Sequence, residues 1–167
     1  MKLADRLNYL GTENAFEVLA EVNKLKAEGR DIISFAIGEP DFDTPENIKQ
    51  ACIRAIESNE THYTPSAGIL PLRETIAAYM SRTRGITVTP DEVVVTPGGK
   101  PIMYYVIHAL VNPGDEVIDP NPGFPIYESV INFVGGKPVP APLLEEKEFS
   151  LDTDYLKILI TPKTKLI

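Results

Sequence analysis

Cysteine is nearly absent, with Cys52 the single example in 167 residues. One cysteine cannot form an intrachain disulfide, which excludes the disulfide framework of a small secreted domain. No stretch approaches the roughly 20 apolar residues that cross a bilayer. The first residues are charged and interrupted, and they lack the apolar run and small-residue cleavage site of a signal peptide. Together these absences predict a cytoplasmic protein.

Positive charge is also scarce. The chain has 16 Lys and Arg against 24 Asp and Glu, which gives a formal net charge of -8 at pH 7. This balance argues against nucleic acids and anionic membranes as partners, although it is compatible with a local basic pocket. Apolar residues make up 43% of the sequence, enough for a folded domain with a core.

Strands alternate with helices along the predicted chain. Helical periodicity predicts helices over 13–27, 45–56, 70–81, 126–133 and 152–160, and one that starts at Lys100. Short apolar runs predict strands at 32–37, 93–95, 115–119 and 138–142. Thr44 is predicted to cap the second helix, with Pro45 first inside it and Cys52 in the core. This alternation indicates an α/β fold with a mostly parallel sheet.

A further buried strand is predicted to begin within the last segment, TPKTKLI. An apolar run that starts at the final residues, without a following turn, predicts a chain cut short relative to a longer parent. The alternative is a natural edge strand at the carboxyl terminus.

The segment VVVTPGGK at 93–100 predicts a buried strand, a glycine turn and a helix start. Gly98 and Gly99 allow a sharp turn and close approach of backbone to a ligand. The amino end of the following helix would favour an anion such as phosphate. A nucleotide P-loop is excluded, since it needs glycine at Val94 and Ser or Thr at Pro101. No dinucleotide G-x-G-x-x-G motif occurs either, and a two-glycine turn that binds nothing remains an alternative.

Four segments in register carry a resemblance to a known family: SFAIGEPDFDTP, HYTPSAGILPLRE, VVVTPGGK and NPGFPIYES. They closely resemble the N-terminal part of the class I/II pyridoxal phosphate (PLP)-dependent aminotransferases, the aspartate-aminotransferase-like group of fold type I. The resemblance implies the three-layer, mostly parallel sheet of the PLP-transferase large domain, here truncated. It implies an N-terminal arm and small-domain segment over 1–44, the first part of the large domain over 45–167, and a homodimer.

The resemblance also implies cofactor-binding residues. Gly99 and Lys100 would offer backbone N–H groups to the cofactor phosphate, with Gly98 making the turn. Phe124 would stack on the pyridine ring, because a rigid aromatic face holds a flat cofactor at little entropic cost. Taken alone, Phe124 would more simply be an ordinary core aromatic beside a proline turn.

Two further residues are implied by the same resemblance. Tyr63 would hydrogen-bond the phosphate of the neighbouring subunit's cofactor, and Gly38 would lie near the substrate α-carboxylate. Without the family, Tyr63 is a loop aromatic packing on prolines and Gly38 a turn glycine. The Lys100 side chain would meet a distal carboxylate of an acidic substrate, or else lie solvated at the surface.

The family's Schiff-base lysine, its acidic partner of the pyridinium nitrogen, its Asn-Pro motif and its α-carboxylate arginine would lie downstream of Ile167. Lys100, Lys163 and Lys165 match no lysine motif of the family, so these 167 residues alone are expected to be inactive. The acidic run at 39–43 lacks a complete metal ligand set.

The leading hypothesis is an aminotransferase that moves an amino group between an amino acid and a 2-oxo acid. Two alternatives remain at this stage: another PLP enzyme of the same fold, such as a lyase, and a non-catalytic module that binds phosphate or a partner.

Overall fold

The computed structural model describes residues 2–11 and 15–167. They form two compact units, one of Met1–Ala36 with Gly98–Ile167 and the other of Ile37–Pro97. The predicted boundary between residues 44 and 45 concerns domains of the whole family fold and stays a prediction. The predicted start of the first helix at residue 13 lies outside the described residues.

Helices account for most of the regular structure. The described α-helices are α1 (Ala15–Ala27), α2 (Glu46–Glu57), α3 (Leu70–Arg84), α4 (Lys100–Leu110), α5 (Ile126–Phe133) and α6 (Thr153–Leu159). Short 3-10 helices span Asp5–Tyr9, Pro90–Glu92 and Glu145–Lys147. The described strands are β1 (Glu116–Asn121), β2 (Lys137–Pro142) and β3 (Thr164–Leu166).

The three strands form one parallel sheet in the order β2-β1-β3. Glu116 pairs with Lys137 of β2 on one side and with Thr164 of β3 on the other. Helix α5 connects β1 to β2, and α6 connects β2 to β3, as crossovers between parallel strands require. The predicted α/β fold with a parallel sheet is confirmed, and so are the strands near 115–119, 138–142 and the carboxyl terminus.

The core of the first unit lies where α4 and α5 pack on β1. Ile131 of α5 is fully buried, and Ile107 of α4 and Val117 of β1 are each 3% exposed. Ile107 and Val111 are four residues apart, so they lie on the same side of the helical path and both join this cluster. Val130 completes it, and the contiguous apolar core fixes where α4 begins relative to β1.

A buried carboxylate ties the three strands together at the start of β1. Glu116 accepts hydrogen bonds from the Thr161 hydroxyl at 2.6 Å and from the Lys137 ammonium at 3.0 Å. The Thr161 bond and then the Lys137 bond lower the pKa of Glu116 below its ordinary value. This carboxylate therefore joins the start of β2 and the segment leading into β3 to β1.

The second unit is organised by Arg73 of α3. Its guanidinium donates to the carbonyls of Pro90 at 2.7 and 3.0 Å and of Val93 at 3.1 Å, and pairs with the Asp91 carboxylate at 3.0 Å. Ala77 of α3 and Val93 are buried in the same unit. An arginine with several fixed donors can satisfy carbonyls that have no strand partner.

Two predicted strands are wrong. Residues 32–37, with a bend at Ala36, and residues 93–95 form no strand, although Val95 donates one hydrogen bond to the Ala67 carbonyl at 3.0 Å. A strand needs a neighbour for its ladder, and among the described residues neither segment has one. Ile33 and Phe35 are consequently 84% and 95% exposed.

The predicted cap and inner face of α2 are also wrong. Pro45, not Thr44, occupies the N-cap position and makes no side-chain cap, so the helix begins at Glu46. Cys52, predicted in the core, is exposed, and Ile48 and Ile56 are 54% and 60% exposed. The helix predicted from the apolar period is present. Within the described part of this unit, however, nothing packs on the apolar face of α2.

Helix α3 extends beyond its predicted end. It continues to Arg84 and stops at Gly85, which has φ +66° and so ends the helix in the left-handed conformation. Of its predicted inward residues, Leu72 and Tyr79 are 41% and 55% exposed, whereas Ile76 and Met80 are half-buried.

Candidate cofactor site

The glycine turn and the helix after it have the predicted geometry. Gly98 has φ +95°, a conformation that side-chain-bearing residues rarely adopt. Gly99 is the N-cap residue and α4 begins at Lys100, with Pro101 in the first turn. Proline is tolerated there because the first helical N–H groups have no intrahelical acceptor. The positive end of the helix dipole therefore lies at Gly99 and Lys100.

A cavity of about 450 Å³ opens beside this helix start. Gly99 lines it at the N-cap of α4, apolar side chains of α4 and β1 line most of its length, and Asp119 and Pro120 line it near the end of β1. Ligands of open α/β sheets bind beyond the carboxyl ends of parallel strands. The cavity is thus where the fold favours a ligand.

Phe124 borders a second cavity, of about 340 Å³, that shares Asp119 and Pro120 with the first. The ring is half-buried and meets Tyr127 edge-on, with centroids 6.4 Å apart. The turn before it requires glycine, because a Cβ at Gly123 would lie 2.1 Å from the Pro120 carbonyl oxygen. Chain reversal after β1 therefore fixes the place of the Phe124 ring.

The side chain of Lys100 lies between two aromatic rings. Its ammonium nitrogen is 5.5 Å from the ring centroid of Phe124 and 5.8 Å from that of Phe16 in α1. Both distances are within the range of cation–π attraction. Phe16 itself is 60% exposed.

Asp119 is a residue of this region that sequence reasoning missed. Its Oδ1 atom is buried and has no hydrogen-bond partner among the described residues. Burial, and next the negative charge of Glu128, raise the pKa of the Asp119 carboxyl above its ordinary value, while a hydrogen bond with its own backbone acts in the opposite sense. The only sequence signal was an acidic residue inside an apolar strand, just before the proline turn.

Tyr63 and Gly38 belong to the second unit. The Tyr63 side chain is fully exposed, and apart from its chain neighbours none of the described residues comes within 4 Å of where a Cβ would be at Gly38. Both remain predictions of a binding role. Gly98, Gly99, Lys100 and Phe124, by contrast, lie in the first unit.

Neither a metal centre nor a membrane span is found in the described part of the chain. No group of three or more His, Cys, Asp or Glu side chains there could hold a metal ion. Within residues 2–11 and 15–167, no helix is long and apolar enough to cross a membrane.

Comparison with known proteins decides the family. The family described as Aminotransferase class I and II matches residues 30–167. The chain belongs to this family. A probable aspartate/prephenate aminotransferase of Aquifex aeolicus is 42% identical over 99% of the chain and 42% of its own length. The aspartate aminotransferase of Bacillus subtilis is 38% identical over 100% of the chain and 42% of its own length.

A solved aminotransferase has the same fold. The aspartate aminotransferase of Thermus thermophilus, in a structure with maleate, superposes with a TM-score of 0.90 at 38% identity. The match covers 99% of this chain and 44% of that one. The predicted resemblance is confirmed, and the chain spans about two fifths of the length of the curated relatives it matches.

Proposed function

We propose that this chain forms the amino-terminal part of a PLP-dependent aminotransferase that moves an amino group between an amino acid and a 2-oxo acid. The observation that carries the proposal is the start of α4, with its glycine turn, beside a cavity at the end of β1 in a chain of this family. The same membership supports a cytoplasmic homodimer.

The residues around the two cavities fit PLP. Apart from the adjoining residues of the chain, none of the described residues comes within 4 Å of the Cβ positions of Gly98 and Gly99, which leaves room for a phosphate close to the backbone. Among the described residues, the buried Oδ1 atom of Asp119 has no hydrogen-bond partner, so this region contains an unsatisfied polar group. Bound PLP supplies an electron sink for bond breaking at the amino-acid Cα.

The binding residues named in this proposal have different tasks. The backbone amides of Gly99 and Lys100 hold the phosphate at the helix start. Phe124 presents its ring face to the pyridine and keeps water away from it. Tyr63 would donate a hydrogen bond to the phosphate held by a second subunit.

The substrate proposal rests on charge and on the named relatives. Gly38 would let backbone approach the substrate α-carboxylate. The Lys100 ammonium, held near Phe16 and Phe124, is a cation suited to a second carboxylate. The relatives named for aspartate and prephenate agree with a dicarboxylic substrate.

Removing the Phe124 ring tests the cofactor site. In Phe124→Ala, we expect about fivefold weaker PLP binding to the purified chain, because a stacked ring is worth about 1 kcal/mol. Binding is measured by absorbance titration. Tyr155→Ala is the matched control, since Tyr155 of α6 is 43% exposed and lines neither cavity. Equal affinities of the two variants would contradict the role of Phe124.

The chain by itself is expected to be inactive. The family's Schiff-base lysine has no counterpart that we recognise among Lys100, Lys163 and Lys165. Incubation with PLP, then borohydride reduction and mass spectrometry, should give no site-specific cofactor adduct, and amino-acid turnover should be undetectable. A stoichiometric adduct on one lysine, together with turnover, would show that this expectation is wrong.

A further inference from the structure

Asp119 occupies a position that none of the proposed binding roles uses. It lies near the carboxyl end of β1, and it is one of two residues that line both cavities. Gly99, at the start of α4, lines the first cavity, and Phe124 lines the second. Its carboxyl group therefore borders both the region proposed for the phosphate and the region proposed for the ring.

Apart from the amino end of α4 at Gly99, the surroundings of Asp119 provide little to stabilise a negative charge. Helix α5 contributes Tyr127 to the first cavity and Glu128 to the second. Helix α4 adds apolar side chains and Gly99, β3 adds Leu166, and β2 adds Pro138 and Pro140. Among the described residues that line these two cavities, no cationic side chain is present to pair with Asp119.

The protonation state of Asp119 therefore bears on anion binding. Two negative groups in one partly desolvated cavity repel each other more strongly than they would in water. An uncharged carboxylic acid removes that repulsion and needs less solvation.

We propose that anion binding beside α4 is coupled to protonation of Asp119, so that the phosphate group occupies the cavity while this side chain is an uncharged acid. The inference rests on the proposed function. It makes Asp119 a residue that tunes cofactor affinity with pH.

The sign of the coupling follows from linkage. An anion that binds beside Asp119 raises the pKa of its carboxyl further, so binding takes up a proton from solution. Anion affinity is then highest below the pKa of Asp119 and falls as the pH rises through it. The pKa is already raised by burial and by Glu128, which places the change above the pH at which an ordinary aspartate titrates.

Sulfate is the probe for this test, because it stays a dianion over the working range and any pH dependence belongs to the protein. Calorimetric titration of the 167-residue chain between about pH 4 and pH 8 spans the ordinary aspartate pKa and any raised value. Repeating it in two buffers of different ionisation enthalpy gives the number of protons taken up. For the wild type we expect affinity to fall by about tenfold across the range, with net proton uptake in the transition.

Asp119→Asn keeps the shape and removes the charge. It should bind sulfate with little pH dependence, and at the upper end of the range more tightly than the wild type. Asp115→Asn is the matched control at the amino side of β1. The Asp115 carboxylate accepts a hydrogen bond from the backbone N–H of Asn112 at 2.8 Å. That variant should titrate like the wild type.

Glu128→Gln gives a second test that leaves Asp119 in place. Removing the neighbouring charge should move the midpoint of the wild-type pH dependence to lower pH. This result does not depend on whether Asp119→Asn folds.

The outcomes separate the two proposals. Wild-type sulfate affinity without pH dependence, or a dependence that persists in Asp119→Asn, would overturn the role of Asp119. The proposed function would still stand if PLP binds and Phe124→Ala weakens it. Failure of sulfate and PLP to bind to the wild type and to Asp119→Asn at every pH would overturn both.

Discussion

Gly123→Ala is expected to weaken PLP binding by more than the roughly fivefold loss of Phe124→Ala and to destabilise the first unit by about 1–3 kcal/mol. The new methyl carbon would lie 2.1 Å from the Pro120 carbonyl oxygen, so the backbone of the turn must move. Because Phe124 follows at once in the chain, its ring moves with the turn. Absorbance titration with PLP and urea unfolding measure the two effects.

Gly11→Ala is the control for the Gly123 substitution. A Cβ at Gly11 would lie 3.5 Å from the Ser129 side chain, which is an ordinary contact distance. This variant should keep the wild-type affinity for PLP and the wild-type unfolding midpoint. If Gly123→Ala behaved the same way, the tight approach to Pro120 would not be what positions Phe124.

Ile131→Ala should cost about 2–5 kcal/mol in the free energy of unfolding. Ile131 is fully buried at the centre of the cluster formed by α4, α5 and β1. Truncation removes buried apolar atoms and leaves a cavity that a close-packed core refills only in part. Urea unfolding followed by circular dichroism measures the change. We also expect weaker PLP binding, because the same core holds α4 in place.

Ile158→Ala is the matched control on α6. The Ile158 side chain is 75% exposed, so its truncation should change the unfolding free energy by no more than about 0.5 kcal/mol. Similar losses in the two variants would show that the cluster around Ile131 is not the stabilising core of the first unit.

Elements with a local signal were predicted well. The predicted span of α5 at 126–133 is the observed span, and the start of α4 at Lys100 is also correct. The alternation of strands and helices after residue 115 was enough for a parallel sheet, and comparison with known structures confirms the fold. In these segments hydrophobic period, turn residues and chain order all favour the same structure.

The errors have a shared physical cause. Residues 32–37 and 93–95 have strand-like sequences, and α2 has a well-defined apolar stripe, but within the described residues of their units these surfaces have no partner. A sequence pattern shows which residues would face a neighbour. Whether the neighbour is present depends on contacts distant in the chain, which local patterns do not contain.

Some residues of the candidate site were predicted from the sequence, and others were found only in the structure. Gly98, Gly99 and Lys100 came from a local pattern, whereas the role of Phe124 came from the family resemblance. Phe16 lies 5.8 Å from the Lys100 ammonium because the fold places α1 in the same unit, and the two residues are far apart in the sequence. Asp119 is a lone acidic residue in the sequence, where no local pattern marks it as a site residue. Only the structure shows that its Oδ1 atom is buried and that it lines two cavities.

By itself, the sequence determined the family, the glycine turn at the start of α4 and the alternation that makes a parallel sheet, because each is encoded in residues close together in the chain. The tertiary structure alone decided which apolar faces are covered, which rings surround Lys100 and how poorly Asp119 is solvated. These depend on desolvation and packing between distant segments, and such effects act on a residue only after the chain has folded.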